Sequence, residues 1–383
     1  MPVTDPYDAL LLVSFGGPEG PRDVLPFLRN VTRGRGVPDE RLAEVAEHYH
    51  AFGGRSPIND QCRALLSAIR ADLTVHGIDL PVYWGNRNSD PYLSDVMTQL
   101  TADGVRRAAC FVTSAYSSYS GCRQYRENLF DAAAGTPHAP RLDKLRHYFN
   151  HPGFVQPFVD ATAAALATLP DRAREGARLV FVTHSIPDGM NEGSGRSPAT
   201  GERGPTDGGA YVRQHLEVAG QVAAGVREAT GREHGHGHDV VYCSRSGPPT
   251  TPWLEPDVND HLGALHARRV SGVVVVPIGF VSDHMEVAFD LDIEAARTAA
   301  GLGLPFARAA TPGTDPRFVA MARDLLLERA TAERGGSVGR TALGALPASW
   351  DACPSGCCAN AHEPGRPALC GQDSPGVDRG VRA

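Results

Sequence analysis

The sequence predicts an α/β fold of two similar Rossmann-like, doubly wound lobes with a cleft between them. Near-continuous apolar runs alternate with amphipathic stretches through most of the 383 residues, which is typical of parallel sheets covered by helices on both faces. The predicted strands are Ala9–Ser14, Pro81–Trp84, Ala108–Ser114, Leu179–Thr183, Val240–Cys243 and Val273–Ile278. A chain of this length accommodates two domains of ordinary size and a tail.

Amphipathic helices are predicted between these strands. They are Asp39–Phe52, Gln61–His76, Tyr92–Asp103, Val155–Thr168, Tyr211–Glu228 and Asp257–Ala267. A final helix is predicted to begin at Asp315 as N-cap, with Pro316 as its first residue, and to continue to about Glu333, because proline favours the first helical position.

The two halves of the chain contain a similar order of motifs, which predicts two related lobes. Each half contains, in order, a strand, a helix start of the form proline–aromatic–leucine, a pair of arginines and a second strand. In the first half these features begin at Val82, Pro91, Arg106 and Ala108, and in the second half at Val241, Pro252, Arg268 and Val273. We therefore expect lobes at residues 1–150 and 151–333, followed by an irregular tail at 334–383. Clefts between such lobes are preferred ligand sites.

Three carboxylates follow the last predicted strand at intervals of four residues: Glu286, Asp290 and Glu294. If this segment is an α-helix, they share one stripe of its surface. Like charges placed in this way repel, so the stripe is either solvated or accompanied by a positive partner such as a divalent cation. An ordinary solvated acidic face explains the segment equally well when it is considered alone.

His184 ends the predicted strand Leu179–Thr183, at the kind of position where ligands bind in open α/β sheets. A neutral imidazole accepts a proton or binds a metal ion near neutral pH. A single strand-end histidine is more often structural, but an acidic stripe in the same half of the chain favours a functional site. We expect metal binding by His184, Glu286, Asp290 and Glu294.

Composition and charge narrow the classes of function. The 42% hydrophobic and 7% aromatic content is that of a globular enzyme, and a net charge of −7 without a basic arm gives no support for a nucleic-acid partner. The N-terminus shows no secretory leader, and no apolar run is long enough to cross a bilayer. We therefore expect a cytoplasmic protein without a transmembrane segment.

Four of the eight cysteines lie close together in the tail: Cys353, Cys357, Cys358 and Cys370. In a long chain without a leader, such a group indicates metal or redox chemistry more often than disulfides. An iron–sulfur or zinc site held by all four is the first interpretation. Replacement of one tail cysteine by Cys122 or Cys243 is the second, and free thiols are the remaining one.

Four segments together resemble the ferrochelatase family. They read LLVSFGGP at 11–18, GGRSPIN at 53–59, THSIP at 183–187 and GFVSDHME at 279–286, and the resemblance extends over residues 7–330. It implies a chelatase-like two-lobed fold and insertion of Fe²⁺ into a porphyrin. The likeness to forms from high-GC Gram-positive bacteria implies coproporphyrin III as substrate and Fe-coproporphyrin (coproheme) as product, within haem biosynthesis.

The resemblance also assigns roles to the metal-site residues. His184 and Glu286 match the two central catalytic residues of the family, and Asp290 and Glu294 match its path for metal delivery. Insertion requires removal of two pyrrole protons, and we expect His184 and Glu286 to share their acceptance. Some family members carry a [2Fe–2S] cluster bound largely by C-terminal cysteines, which favours that cofactor over zinc.

The resemblance assigns porphyrin contacts less directly. Arg33, Ser56 and Tyr125 match positions that bind porphyrin carboxylates, and Phe15 is expected in the wall of the site. Some bacterial relatives have a tyrosine at the Phe15 position, which ligates iron in the product complex. A phenylalanine cannot do this, so the axial ligand of the product must be His184, water or nothing.

Three alternative functions remain open from the sequence. Protoporphyrin IX differs from coproporphyrin III at two ring edges that the sequence does not locate. A chelatase for another metal or tetrapyrrole usually pairs two histidines, whereas this chain pairs a histidine with a glutamate. A two-lobed protein that holds haem or a metal without catalysis needs no proton acceptor. The resemblance leaves room for transient contacts with other enzymes of haem synthesis, and it does not fix the oligomeric state.

Overall fold

The structure is a computed structural model that describes residues 2–34, 36–195, 209–247, 250–354 and 356–369. Its strands form two four-stranded sheets, and every pair of neighbouring strands is parallel. The first sheet contains β1 (Ala9–Ser14), β2 (Val82–Asn86), β3 (Arg107–Val112) and β4 (Arg141–Lys144); the second contains β5 (Arg178–His184), β6 (His238–Cys243), β7 (Val273–Val276) and β8 (Phe306–Arg308).

Helices cover the sheets and connect their strands. The α-helices are α1 (Val24–Val31), α2 (Asp39–His50), α3 (Ile58–Val75), α4 (Leu93–Ala102), α5 (Gln124–Ala134), α6 (Pro152–Thr168), α7 (Asp171–Glu175), α8 (Asp188–Gly193), α9 (Ala210–Thr230), α10 (Val258–Ala267), α11 (Met285–Phe289), α12 (Ala296–Leu302) and α13 (Pro316–Glu333). A 3₁₀ turn occupies Pro21–Asp23, and π-helical turns occupy Tyr119–Arg123 and Asp290–Ala295. Among the described residues, no helix combines the length and apolar character needed to cross a membrane.

The two sheets have the same topology, with strand orders β2-β1-β3-β4 and β6-β5-β7-β8. This confirms the predicted fold of two similar doubly wound lobes. Every residue of β1 is buried, as are Leu179 to Thr183 of β5, because these strands have neighbours on both sides and helices on both faces. That environment explains why both sequences are almost entirely apolar.

The internal repeat has a different register from the one predicted. The Asn86 N–H donates to the carbonyl oxygen of Pro91 at 2.7 Å, and the Tyr242 N–H donates to that of Pro256 at 3.0 Å. The equivalent of Pro91 in the second lobe is therefore Pro256, and the match to Pro252 was wrong. The Pro252 motif resembles the first-lobe motif in composition, but it lies in the loop before the equivalent position.

Two strands, β4 and β8, were absent from the prediction. Their sequences, RLDK and FAR, are short and contain no apolar run, so neither shows the signal of a buried strand. Both lie at one edge of a sheet, where only one neighbour supplies hydrogen bonds. Edge strands are often short, and tertiary pairing rather than local sequence defines them.

Helix α13 joins the two lobes. It begins with the predicted cap, in which Asp315 accepts a hydrogen bond from the Arg317 N–H at 2.9 Å, and it packs against α3 and α6. Its Arg329 lies 3.4 Å from Asp143 of β4. The largest apolar core contains residues of both lobes and of α13, so the lobes are held together by a shared interior as well as by ion pairs.

Candidate active site

The predicted metal-site residues meet at the carboxyl edge of the second sheet. Strand β5 ends at His184, and β6 ends at Cys243, directly before Ser244. After β7 the chain turns through Gly279 into α11, which carries Glu286. Because the strands are parallel, their carboxyl ends lie at one edge of the sheet, where ligands bind in folds of this kind.

His184 presents one ring nitrogen to Glu286. Its Nδ1 is hydrogen-bonded to the carbonyl oxygen of Ser185, and a carbonyl only accepts, so Nδ1 carries the proton. In the neutral ring Nε2 then retains its lone pair, and it lies 3.8 Å from Glu286 Oε2. The two side chains are 32% and 47% exposed, so a substrate can reach both the basic nitrogen and the carboxylate.

Buried groups behind His184 fix the end of β5. The Tyr211 hydroxyl donates to the His184 carbonyl oxygen at 2.8 Å and lies 2.7 Å from Thr183 Oγ1, which therefore donates to it. Gly279 packs against the same point, and a Cβ there would lie 2.2 Å from Thr183 Oγ1. Only glycine allows the loop after β7 to approach β5 so closely.

A second imidazole, His284, lies beside Glu286. It caps α11, where its Nδ1 accepts from the Glu286 N–H at 3.2 Å, and the same nitrogen is 4.0 Å from Glu286 Oε2. Burial lowers the pKa of His284, and neighbouring His184 lowers it further, although Glu286 opposes the shift. Sequence reasoning did not select His284, although it stands two residues before Glu286 in the same motif.

The acidic segment is helical, but it is not a single α-helix. It continues from α11 through the π-helical turn Asp290–Ala295 into α12. Because a π-helix bonds residues five apart rather than four, Glu294 does not remain in α-helical phase with Asp290, and the prediction of one regular stripe was wrong. Insertions of this type are frequent at functional sites.

The carboxylates nevertheless lie close enough to interact. The pKa of Asp290 is raised to about 7, mainly by burial and further by the charges of Glu286, Glu294 and Asp257. The Ser244 hydroxyl donates a hydrogen bond to Asp290 and opposes this shift. The segment therefore places several carboxylate oxygen atoms close enough to influence one another, with Glu286 next to His184.

Helices of the first lobe cover this path. Met285 packs in an apolar cluster with Phe27 of α1 and Tyr49 of α2. The His48 ring stacks on Phe289 with centroids 4.0 Å apart. The acidic segment therefore lies between the lobes, as the predicted cleft requires.

The first lobe contributes a cation that sequence reasoning missed. The Arg87 guanidinium lies 4.4 Å from the ring centroid of Tyr125 and 5.5 Å from that of Phe15. Its Nε donates to Asn128 Oδ1 at 2.7 Å. Arg87 directly follows β2, and this strand-end position was the available signal. The structure thus brings the predicted residues Phe15 and Tyr125 to one arginine.

The other predicted porphyrin contacts occupy different environments. Ser56 is buried against the turn at Gly17, where an added Cβ would lie 2.7 Å from Ser56 Cβ. Tyr125 is also buried. Arg33 is exposed in the turn after α1. Their assignment to porphyrin carboxylates stays a prediction.

Four cysteines meet at a second position, away from His184. Cys122, on the π-helical turn Tyr119–Arg123, contacts Cys353 and Cys358, and Cys357 contacts the same two. Hydrogen bonds from Cys353 and Cys358 hold the pKa of the Cys122 thiol well below its ordinary value. The Sγ atoms of Cys357 and Cys358 are 3.9 Å apart; two thiolates on one tetrahedral metal ion are about 3.8 Å apart for metal–sulfur bonds of ~2.3 Å.

The backbone of Cys358 explains how adjacent cysteines face the same point. Its φ of 54° lies in the left-handed region, whereas neighbours in an extended chain point to opposite sides. Such a conformation is uncommon for a residue other than glycine and is concentrated at functional sites. The Gly195 N–H also donates to Cys358 Sγ at 3.3 Å.

The grouping of the described cysteines corresponds to the second predicted ligand set, in which Cys122 replaces one tail cysteine. Cys122 joins the tail cysteines, whereas Cys243 lies next to Ser244 at the other site; Cys370 falls outside the described residues. Within the described part of the chain, no group of three or more His, Cys, Asp or Glu side chains is placed so that it could hold a metal ion. The described cysteines are all free thiols, so no disulfide among them occupies these sulfur atoms.

The chain is similar to known proteins over almost its whole length. The family model named Ferrochelatase matches residues 7–330. The coproporphyrin III ferrochelatase of Streptomyces griseus subsp. griseus is 60% identical over 376 residues, covering 97% of this chain and 98% of that protein. That of Streptomyces coelicolor is 60% identical over 374 residues, covering 97% of each.

Among solved structures, SirB from Bacillus subtilis with Fe³⁺ superposes with a TM-score of 0.49 at 13% identity, covering 85% of this chain and 97% of that one. The sequence comparisons cover almost the whole chain and include the segments that carry His184 and Glu286. This chain therefore belongs to the ferrochelatase family.

Proposed function

We propose that this chain inserts Fe²⁺ into coproporphyrin III and releases coproheme. The observation that carries the proposal is the accessible His184–Glu286 pair, whose Nε2 and Oε2 lie 3.8 Å apart at the end of an acidic path. Relatives that are 60% identical over nearly the full chain carry the name coproporphyrin III ferrochelatase, which favours that porphyrin over protoporphyrin IX.

The reaction exchanges two pyrrole protons for one metal ion. His184 Nε2 is the lone-pair nitrogen of a ring whose tautomer is fixed by Ser185, so it is oriented to accept a proton or to bind Fe²⁺. Glu286 provides an anionic oxygen beside it for the second proton or for the metal. Two acceptors at one point allow both protons to leave the ring on the same side.

Metal delivery follows the carboxylates behind Glu286. Asp290 has a pKa raised to about 7, so it is partly protonated near neutral pH and does not hold a cation too firmly. Its partner Ser244 and the neighbouring Glu294 add further oxygen atoms. An Fe²⁺ ion passing from Glu294 towards Glu286 would exchange its water ligands in steps, each of them small.

The porphyrin would lie between this edge and the first lobe. A flat apolar ring with propionates needs apolar walls and cationic or hydroxyl groups at the rim. Half-buried Phe15 supplies aromatic surface for such a wall. Arg87, held over Tyr125, supplies a positive charge on the same side as Phe15, and exposed Arg33 is a second candidate for a propionate.

The test is anaerobic Fe²⁺ insertion, followed by the loss of porphyrin fluorescence, with coproporphyrin III and protoporphyrin IX offered separately. Faster turnover of coproporphyrin III is expected. His184→Ala and Glu286→Gln should bind the porphyrin but insert iron at least 100-fold more slowly, since general acid–base groups contribute about 10²–10⁴. His234→Ala, an exposed histidine far along the sequence from the motif, is the matched control. No insertion by folded wild-type protein, or unimpaired insertion by both variants, would contradict the proposal.

We further propose that Cys122, Cys353, Cys357 and Cys358 hold a [2Fe–2S] cluster. The mutual contacts of the four thiols and the αL backbone of Cys358 support this ligand set. The cluster would be held by three thiolates of the tail and by Cys122 of the π-helical turn Tyr119–Arg123, and would cross-link the two; insertion of Fe²⁺ itself requires no electron transfer. Cys122 then replaces Cys370, which the sequence had favoured.

Single serine variants distinguish the ligand sets. Cys122→Ser should lose most of the visible charge-transfer absorption and the iron and acid-labile sulfide, whereas Cys370→Ser should retain them. Cys62→Ser, at a buried cysteine of α3, is the control for a change of thiol elsewhere. The reverse order, with Cys370→Ser losing the cluster and Cys122→Ser keeping it, would contradict the proposal; zinc without sulfide would contradict the cluster itself.

We also propose a cytoplasmic location, Fe²⁺ and porphyrin as the only small-molecule substrates, and no nucleic-acid partner. The net charge of −7 supports the last point. Transient transfer of porphyrin or coproheme to other enzymes of haem synthesis would fit an open cleft. Cell fractionation and cross-linking in intact cells test the location and the contacts.

A further inference from the structure

The four cysteines share a cavity with half-buried Arg213 and buried His147, two side chains that carry buried nitrogen atoms. Cys122 comes from the first lobe and Cys353 from the tail. Arg213 of α9, in the second lobe, lines the same cavity, and so does His147, which follows β4. Arg213 Nε and Nη2 are buried without a hydrogen-bond partner among the described residues. Neither ring nitrogen of His147 makes a hydrogen bond of standard geometry there, although the ring lies next to Cys122 and the backbone of Ser114.

Such groups need an acceptor. Buried polar atoms are hydrogen-bonded in the great majority of folded proteins, and a buried guanidinium carries a charge that also needs compensation. A neutral thiol sulfur is only a weak hydrogen-bond acceptor, so it compensates these donors poorly. Thiolate sulfur bound to iron is anionic, and hydrogen bonds to anionic acceptors are about twice as strong as those between neutral groups.

We propose that Arg213 and His147 donate hydrogen bonds to the sulfur atoms of the metal cluster bound by the four cysteines, with Arg213 also compensating its negative charge. This rests on the proposed cluster and extends it to residues that do not bind iron. Two ferric ions, two sulfides and four thiolates give a net charge of about −2, and Fe–S centres are tuned by charge and by hydrogen bonds to sulfur.

The two lobes and the tail would then meet at one centre. Cys122 anchors the first lobe, Cys353, Cys357 and Cys358 anchor the tail, and Arg213 reaches in from the second lobe. The Gly195 N–H adds a donor from the segment after α8, since it already bonds Cys358 Sγ at 3.3 Å. The second lobe would therefore contact the cluster only through donors, not through ligands, among the described residues.

Arg213→Met removes both the charge and the donors while keeping much of the apolar length. Adding one electron to an anionic cluster is then less favourable, and we expect the reduction equilibrium to fall by on the order of tenfold, which is 59 mV for a one-electron couple. Arg213→Lys retains the charge but loses the planar fork, so it should fall between Arg213→Met and the wild type. Arg227→Met, at an exposed arginine of the same helix, is the matched control.

The experiment uses anaerobically purified full-length protein. The midpoint is measured by stepwise reduction with dithionite and mediators, with electron paramagnetic resonance as readout, and the lifetime of the visible absorption is measured in the presence of an iron chelator. We expect a lower midpoint and a shorter lifetime for Arg213→Met, and no change for Arg227→Met. His147→Phe, which removes the second donor set, should shorten the lifetime independently.

The outcomes separate this inference from the cluster proposal. Wild-type protein without iron and sulfide overturns both. A wild-type cluster whose midpoint and lifetime are unchanged in Arg213→Met and His147→Phe overturns only the role of the donors. If Arg213→Met does not fold, Arg213→Lys is the deciding variant. If Arg213 contacts the cluster, this lysine should still change the electron paramagnetic resonance signal and the midpoint potential, and an unchanged signal and midpoint would overturn the role of Arg213.

Discussion

Replacing Asp290 by asparagine tests the electrostatics of the acidic path in the metal-free protein. Burial raises the pKa of Asp290 from 3.8 to about 7, and the charges of Glu286 and Glu294 add to the shift. One pKa unit corresponds to about 1.4 kcal/mol, so ionised Asp290 destabilises the folded state by up to about 4 kcal/mol. Asparagine has a similar shape and never ionises, so it removes this cost.

The sign follows from proton linkage. Between about pH 4 and pH 7 the folded protein keeps the Asp290 proton while the unfolded chain releases it. The free energy of unfolding of the wild type should therefore decrease as pH rises through this window and stay low above it. Asp290→Asn lacks this decrease, so its advantage over the wild type should be near zero below pH 4 and largest above pH 7.

Urea denaturation with a metal chelator, at several pH values between 5 and 8.5, measures the difference. Asp79→Asn, an exposed substitution in the turn between α3 and β2, is the matched control and should follow the wild type throughout. The reasoning is refuted if Asp290→Asn is no more stable than the wild type at pH 8.5, or if its advantage does not change with pH. A gain of 2–4 kcal/mol together with lost iron insertion would show a site that sacrifices stability for metal delivery.

Three further substitutions test the support of the site. Gly279→Ala should lower the free energy of unfolding by about 1–3 kcal/mol, because its Cβ would lie 2.2 Å from Thr183 Oγ1; an unchanged urea midpoint would contradict this. Tyr211→Phe should reduce kcat more than it raises KM, because the hydroxyl fixes the backbone of His184 without touching substrate; equal kcat would contradict it. Arg329→Met removes one cation from buried Asp143 and the ion pair with Glu333, while Arg107 stays 2.6 Å from Asp143; the groups left imperfectly paired should cost about 1–3 kcal/mol by thermal unfolding, and an unchanged stability would refute this.

The strands illustrate how far a local pattern predicts this fold. β1 and β5 are central and buried on both faces, so nearly every position must be apolar, and their sequences reveal them directly. β4 and β8 lie at sheet edges and contain three or four residues with polar members. Their pairing depends on neighbours far away in sequence, which no local window contains.

The residues of the site also fall into those that the local sequence predicts and those that it does not. His184 and Glu286 were predicted because each follows a strand, and parallel strands bring such positions together. The π-helical turn at Asp290–Ala295 was not predicted, because it reflects how the helix packs between the lobes and not the amino-acid composition of the segment. Arg87 was missed for a related reason, since a single arginine after a strand acquires meaning only when Tyr125 and Phe15 lie beside it.

The cysteines show most clearly what required the tertiary structure. Sequence proximity favoured Cys370 as the fourth member of the tail group, and it gave Cys122 only as an alternative. Cys122 and Cys353 are more than 200 residues apart in the chain, so their contact depends on how the tail folds back over the first lobe. The sequence by itself determined the two parallel-sheet lobes, the family and the His184–Glu286 pair, because these depend on hydrophobic pattern, strand ends and contiguous motifs. Tertiary packing alone decided the partners of residues distant in sequence: which cysteines meet, which cations face them, and where the acidic helix departs from α-helical geometry.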